Sequence, residues 1–256
     1  RSGQRFNPGI GFEMMDDYSV LRGNLGYGWI SGENSKLYSH SFETRSMYRT
    51  YIKDGSLMSF TNFSGWQFQT KNQWQGSIYL VYNSDNLKAS LEISEDELYI
   101  NTGKYDYLGI RGNIVTPASK PLFLMFTTEL GQFYDGNRIS FRLQPTWNLS
   151  KHFELGGTYN FDYVNISKRD VSMTNHIIGL KALYMLDIHL SFNVFIQYNT
   201  AYHGVVTNLR LRYNPREGND LYLVFNEDRN TDLYREIPNL PVYNSRAVML
   251  KYTSTF

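Results

Sequence analysis

The chain has 256 residues and a formal net charge of +1, so nothing in its charge selects a nucleic-acid partner. It contains no cysteine, which excludes a disulfide framework, a thiolate metal site and a cysteine nucleophile. Aromatic residues make up 16%, with 21 Tyr and 16 Phe, yet mean hydropathy is only −0.44, and no run approaches the roughly 18 apolar residues of a membrane helix. Many aromatics in a polar chain suit a sheet with one apolar and one wet face. No linker or low-complexity tract divides the sequence, which reads as one domain over residues 1–256. Its opening Arg1-Ser-Gly-Gln reads as mature or truncated material.

In chain order, alternating runs of about ten residues are separated by turn residues. Phe6, Ile10, Phe12 and Met14 share a face before a turn at Met15-Asp-Asp17, and Leu21, Leu25, Tyr27 and Trp29 follow. Tyr38, Phe42, Tyr48 and Ile52 lead into Lys53-Asp-Gly-Ser56, a hairpin signal because Asp-Gly supplies the positive φ of a tight turn. Met58, Phe60, Trp66 and Phe68 come next, then Trp74, Ile78, Leu80 and Tyr82. Asn83-Ser-Asp-Asn86 is predicted as a turn, Leu87 to Ile93 as a strand, and Ser94 to Lys104 as a loop. Leu108 to Ile114, Leu122 to Leu130, Ile139 to Trp147 and Phe153 to Tyr163 are further runs. The polar stretch Asn165 to Thr174 precedes Ile178 to Leu186, a turn at Asp187, and Ile188 to Tyr198. Val205 to Tyr213 and Leu221 to Phe225 follow, and a long polar loop from Glu227 to Tyr243 leads to the last run.

The charges within these runs fall opposite the apolar residues: Glu13, Arg22, Glu43, Arg45, Arg49, Lys88, Glu92, Arg111, Glu129, Arg142, Lys181, Arg210, Arg212 and Lys251. A Lys or Arg facing lipid at mid-depth costs roughly 2–4 kcal/mol, so this segregation is what a membrane barrel with a polar lumen requires. A soluble sandwich would carry the same alternation with the aromatic face as its core. Aromatic abundance, run length and the terminal Phe256 favour the membrane. The expected fold is all-β, an antiparallel transmembrane β-barrel of about 14–16 strands. Its lumen charges would act as a ring that disposes an open pore to anions, or as a salt-bridged plug built on Glu13, Glu43, Glu92 and Glu129.

In the closing run, Val248, Leu250, Tyr252 and Phe256 share one face. This terminal aromatic strand resembles the signal by which Gram-negative outer-membrane barrels are recognised by the assembly machinery. With Phe256 on the periplasmic side, the turns at Asp16, Asp54, Ser84, Ala118, Leu149, Asp187 and Glu217 would be periplasmic. The tally of about fifteen runs is odd, whereas bacterial single-chain barrels are even. Either one strand is missed or, the favoured expectation, the chain is the C-terminal part of a larger barrel.

The segment from Leu209 to Glu227, LRLRYNPREGNDLYLVFNE, and the closing Leu250-Lys-Tyr-Thr-Ser-Thr-Phe256 resemble the C-terminal part of an outer-membrane barrel family of undefined function. Phe133-Tyr-Asp-Gly-Asn-Arg138 and Ile196-Gln-Tyr-Asn199 share the likeness. In that family the barrel commonly follows a family-9-type carbohydrate-binding module. The resemblance therefore implies an absent upstream extracytoplasmic module and a glycan-related role. No catalytic residue is defined there, so none is carried over.

None of His40, His152, His176, His189 and His203 has metal-site spacing. His189 is the one expected to face the lumen beside Ser191 and Asn193. No cofactor, metal or catalytic residue is assigned. The leading function is a bacterial outer-membrane barrel that passes or anchors a solute or polymer, with lipid, lipopolysaccharide and the assembly machinery as partners. One alternative is a hydrolase at the extracellular rim, which would place a His near two of Asp106, Asp135, Asp162, Asp228 and Asp232. Another is a structural subunit of an envelope complex.

Overall fold

A computed structural model describes residues 17–94 and 98–254. It holds β1 (Tyr18–Ile30), β2 (Leu37–Tyr51), β3 (Leu57–Thr70), β4 (Gln75–Leu87), β5 (Leu91–Ser94), β6 (Leu98–Ile100), β7 (Gly103–Val115) and β8 (Leu122–Phe133). Then come β9 (Gly136–Ser150), β10 (Phe153–Ile166), a single 3-10 turn at Ser167–Arg169, β11 (Val171–Met185), β12 (Leu190–Asn199), β13 (Gly204–Arg216), β14 (Asn219–Asn230) and β15 (Tyr243–Ser254). Thirteen strands form one sheet in chain order, while β5 and β6 pair apart as a two-stranded ribbon. The chain is thus all-β and built as a large antiparallel up-and-down sheet, as its alternation predicts. The first predicted run, from Phe6 to Met14, lies outside the described residues.

Tight turns carry the chemistry their positions need. Gly55 has φ +66°, and the Asp54 carboxylate beside it accepts from the Ser56 N–H at 3.0 Å and the Ser56 hydroxyl at 2.7 Å. Asp187 accepts from the backbone N–H groups of His189 and Leu190, each at 2.8 Å. Those two donors hold its carboxyl below the usual carboxylate range.

Two compact units are distinguished. The first comprises Arg1–Ile114, Thr127–Ser140 and Tyr163–Met173. Residues directly opposite on neighbouring strands point to the same side of a sheet, so the register assigns the faces. Leu25, Thr44, Ser64 and Leu80 line up across β1 to β4, as do Tyr27, Phe42, Trp66 and Ile78. Asn24, Arg45, Phe63 and Val81 line up on the other face. The apolar face is bare: Leu25 is 75% exposed and Leu80 53%.

One end of this unit has a core of ordinary kind. Leu98 and Ile100 of the ribbon bury completely against Val164 and Ile166 of β10, with Leu87, Ile93, Phe133 and Tyr134 around them. Arg169 fixes the surroundings by pairing with Asp135 at 2.9 Å and donating to the Tyr99 carbonyl.

The second unit comprises Val115–Phe126, Phe141–Asp162 and Thr174–Phe256. Ala182, Val194, Leu209, Phe225 and Val248 line up on its apolar face, and Leu183, Asn193, Arg210, Val224 and Met249 on the other.

The region from residue 83 to 104 departs from the sequence reading. Asn83-Ser-Asp-Asn86 is no turn, because Asn83, Ser84 and Asp85 pair with Thr61, Phe60 and Ser59 of β3. Leu91–Ser94 is a strand of the ribbon and not of the sheet, and Leu98–Ile100 is a strand inside the predicted loop. The sheet therefore has three strands, β3, β4 and β7, between the Asp54 hairpin and the turn at residues 116–121. Within the first unit β3 runs away from the Asp54 hairpin and β4, antiparallel to it, returns to that end. Contacts agree: Lys88, just past β4, pairs with Asp54 at 2.7 Å.

Candidate functional site

The charges predicted to oppose the apolar face do so where the register reads them. In the first unit Arg22, Glu43, Arg45 and Arg49 share the polar face of β1 and β2. Arg22 stands opposite Met47, flanked diagonally by Arg45 and Arg49, so three guanidiniums occupy neighbouring positions. Arg111 of β7 joins them, its guanidinium 5.0 Å from the ring centre of Phe63 on β3.

Two carboxylates answer these cations. Glu43 pairs with Arg45 and accepts from the Tyr79 hydroxyl, and its side chain is only 9% exposed. Glu129 pairs with Arg111, whose Nε donates to it at 2.9 Å. Arg49 donates to the Ser59 hydroxyl at 3.3 Å. Arg22 has no hydrogen bond or ion pair among the described residues. Glu43 thus pairs with Arg45 and Glu129 with Arg111, and the group keeps surplus positive charge.

Tyr79 reaches Glu43 because Gly65 lies between them in the register. A Cβ at Gly65 would stand 2.1 Å from the Ile78 carbonyl oxygen and 2.7 Å from the Tyr79 ring. No real Cβ sits so close, and the ring fills the space a side chain would take. The Arg45 guanidinium in turn lies 5.9 Å from that ring's centre.

These groups border a hollow of about 490 Å³ lined by Arg22, Arg45, Met47, Phe63, Tyr79 and Arg111. A second hollow of about 530 Å³ lies on the polar face of the same unit, and Ser39, Ser41, Gln67, Gln69, Gln75 and Asn113 give it an uncharged lining. One stretch of the polar face thus offers cations against carbon, the other amides and hydroxyls.

In the second unit Lys181, Arg210, Arg212 and Lys251 share the face that also carries Asn193, Asn208 and Asn226. Arg212 pairs with Asp220 at 2.6 Å, and Arg142 donates to Asn160 at 2.9 Å. Lys88 and Glu92 are corrections: Lys88 follows the end of β4 and Glu92 sits on the ribbon, so neither lies on the large sheet. Glu13 and Phe256 lie outside the described residues. Val248, Leu250 and Tyr252 are exposed on the apolar face, as their alternation predicts.

Sequence reasoning missed a polar island on the apolar face. Thr44, Ser46, Asn62 and Ser64 sit at mid-strand among Leu, Phe and Trp, and bond one another at 2.8–2.9 Å. Their shared satisfaction depends on register between β2 and β3, which no single run displays.

The histidine rings with a bond or ring contact meet carbonyl oxygens, a hydroxyl or aromatic rings. The His189 ring sits in the turn after β11, not on a strand, against the Asn214 carbonyl at 2.7 Å. The His176 ring meets the Tyr159 hydroxyl at 2.9 Å, and His40 stacks on Trp29. No histidine ring bonds a carboxylate among the described residues, and no group of His, Asp and Glu there is arranged to hold a metal ion. Among the described residues no helix is long and apolar enough to cross a membrane, which says nothing of strands.

No family model matches the chain, and no curated protein matches it. Among solved structures it is similar to one described as "NanC porin structure in rhombohedral crystal form", at 11% identity and a TM-score of 0.35, over 93% of this chain and 99% of that one. A likeness at that level carries no inference about activity.

Proposed function

We propose that the chain is a bacterial outer-membrane β-barrel whose polar face lines a passage for solutes. The observation that supports this most is the bare apolar face. In a soluble sandwich Leu25, Phe42, Ile78 and Leu80 would be core; here they are exposed, while the opposite face carries the arginines. Water does not favour that arrangement, whereas hydrocarbon does. The strands of the large sheet run 10–15 residues, and a tilted strand needs roughly 9–11 to cross a bilayer.

On this reading lipid and lipopolysaccharide contact the apolar face, and the assembly machinery recognises the C-terminal strand through Val248, Leu250 and Tyr252. A glycan-related cargo and an upstream carbohydrate-binding module rest on the sequence resemblance alone. The protein, reconstituted in planar bilayers, is expected to give stepwise conductance. Insertion without conductance would overturn the passage and leave an anchor. Cysteines at Leu25 and at Arg210 separate the faces: lipid-soluble label should reach the first and aqueous label the second, and the reverse result would overturn the membrane orientation.

A further inference from the structure

We propose that the hollow between Arg22, Arg45 and Arg111 is a binding site for an amphiphilic organic anion, of which an aromatic carboxylate is the simplest example. The inference rests on the reading of the polar face as wetted, and it adds retention of a defined chemical class to simple passage.

Charge supplies the first half. Three guanidiniums border the hollow, and the carboxylates that answer them are Glu43 and Glu129. Arg111 directs both its Nε and an Nη donor at one oxygen of Glu129, which leaves its other N–H groups without an acceptor among the described residues. Arg22 is unengaged among the described residues, and its diagonal neighbours Arg45 and Arg49 repel it. A bound carboxylate would relieve that repulsion and accept the charge-assisted hydrogen bonds that planar guanidiniums form best.

Carbon supplies the second half. Met47 and Phe63 belong to the same wall, with the Tyr79 ring beside them. The volume of about 490 Å³ falls within the usual range for a small-molecule site. A bare inorganic anion would leave the Met47 and Phe63 surfaces wet, and a neutral ring would leave Arg22 unanswered. The wall is also held in place: Tyr79 is pinned over Gly65 and bonded to Glu43, so the site is largely formed before a ligand arrives.

The test is a calorimetric titration of the full chain in non-ionic detergent with benzoate, benzyl alcohol and inorganic phosphate as probes. Benzoate should bind saturably and more tightly than either of the others. Arg22→Gln should weaken it roughly tenfold, the loss expected of one charge-assisted hydrogen bond. Met47→Gln should weaken it roughly fourfold through the lost apolar contact. Arg142→Gln, outside the hollow, should leave it unchanged.

Arg22→Gln breaks no ion pair among the described residues, so the variant should keep the wild-type sheet signal in circular dichroism. Equal binding of benzyl alcohol, equal binding of phosphate, or wild-type affinity in Arg22→Gln would each overturn the site. Uptake that never saturates and is alike in every variant is partition into detergent and also overturns it. Conductance is not read in this assay: a chain that binds benzoate without conducting overturns the passage alone, and one that conducts without binding overturns the site alone.

Discussion

Leu98, Ile100 and Ile166 at the ribbon end are at most 1% exposed, whereas Leu25 and Leu80, aliphatic residues of the same unit, are 75% and 53% exposed. Similar side chains meet opposite fates within one unit. At the ribbon, β5, β6 and β10 supply protein on every side, and the apolar area is removed from water by packing. On the sheet face none of the described residues does this, so among them the same transfer free energy, roughly 25 cal/mol per Å², is left to a surrounding medium. The contrast teaches that the chain has two hydrophobic systems, one closed by its own fold and one completed by its environment.

The sharpest break of that contrast is at the closed core. Ile166→Ala should cost about 2–5 kcal/mol in urea unfolding, and unchanged stability would show that the ribbon does not pack as described. Next comes the open face, where Leu80→Arg should cost about 2–4 kcal/mol in bilayers. A surface change in water stays within about 0.5 kcal/mol, so a neutral result in lipid would remove the membrane from the comparison.

Gly65→Ala should cost about 1–3 kcal/mol through overpacking against the Ile78 carbonyl and Tyr79, while Gly23→Ala, whose Cβ meets nothing within 4 Å, should change stability little. Equal effects would mean that the polar face is as loose as the apolar one. The smallest effect is at the ribbon's tether. The Lys88 ammonium, then Ser56, hold the Asp54 carboxyl well below its ordinary value of 3.8. A lowered folded pKa means the tether contributes fully above about pH 4 and is lost only as pH falls through the lower folded value. Carboxyl NMR should place the Asp54 midpoint clearly below 3.8, and Lys88→Ala should bring it back up.

Most strands were legible because period-two alternation is a local property. Phe153 to Tyr163 lies within β10, and Leu122 to Leu130 within β8. The ribbon was not legible. Leu87, Ala89, Leu91 and Ile93 alternate as well as any membrane strand, and what draws Leu98 and Ile100 aside is Val164 and Ile166, far along the chain. Asn83 to Asn86 misled in the other direction, since turn-forming residues there are held extended by pairing with β3.

The candidate site was half legible. Parity placed Arg22, Arg45 and Arg49 on one face, but the unengaged state of Arg22 and the reach of Tyr79 to Glu43 depend on cross-strand register. The polar island at Asn62 was hidden for the same reason.

Gly65 and Tyr79 meet at one spot but answer to different constraints. A larger residue at 65 has no room against the Ile78 carbonyl, the Tyr79 Cα and its ring, and a smaller residue at 79 would bare backbone and release Glu43. Along lines of descent a glycine at 65 should persist whatever stands at 79, while the tyrosine should persist only where Glu43 does. Tyr79→Leu would not make room for Gly65→Ala, because the Ile78 carbonyl oxygen and the Tyr79 Cα stay where they are; Tyr79→Phe, which keeps the ring and loses only the hydroxyl that steadies Glu43, separates the record of the carboxylate at this spot from that of the fold.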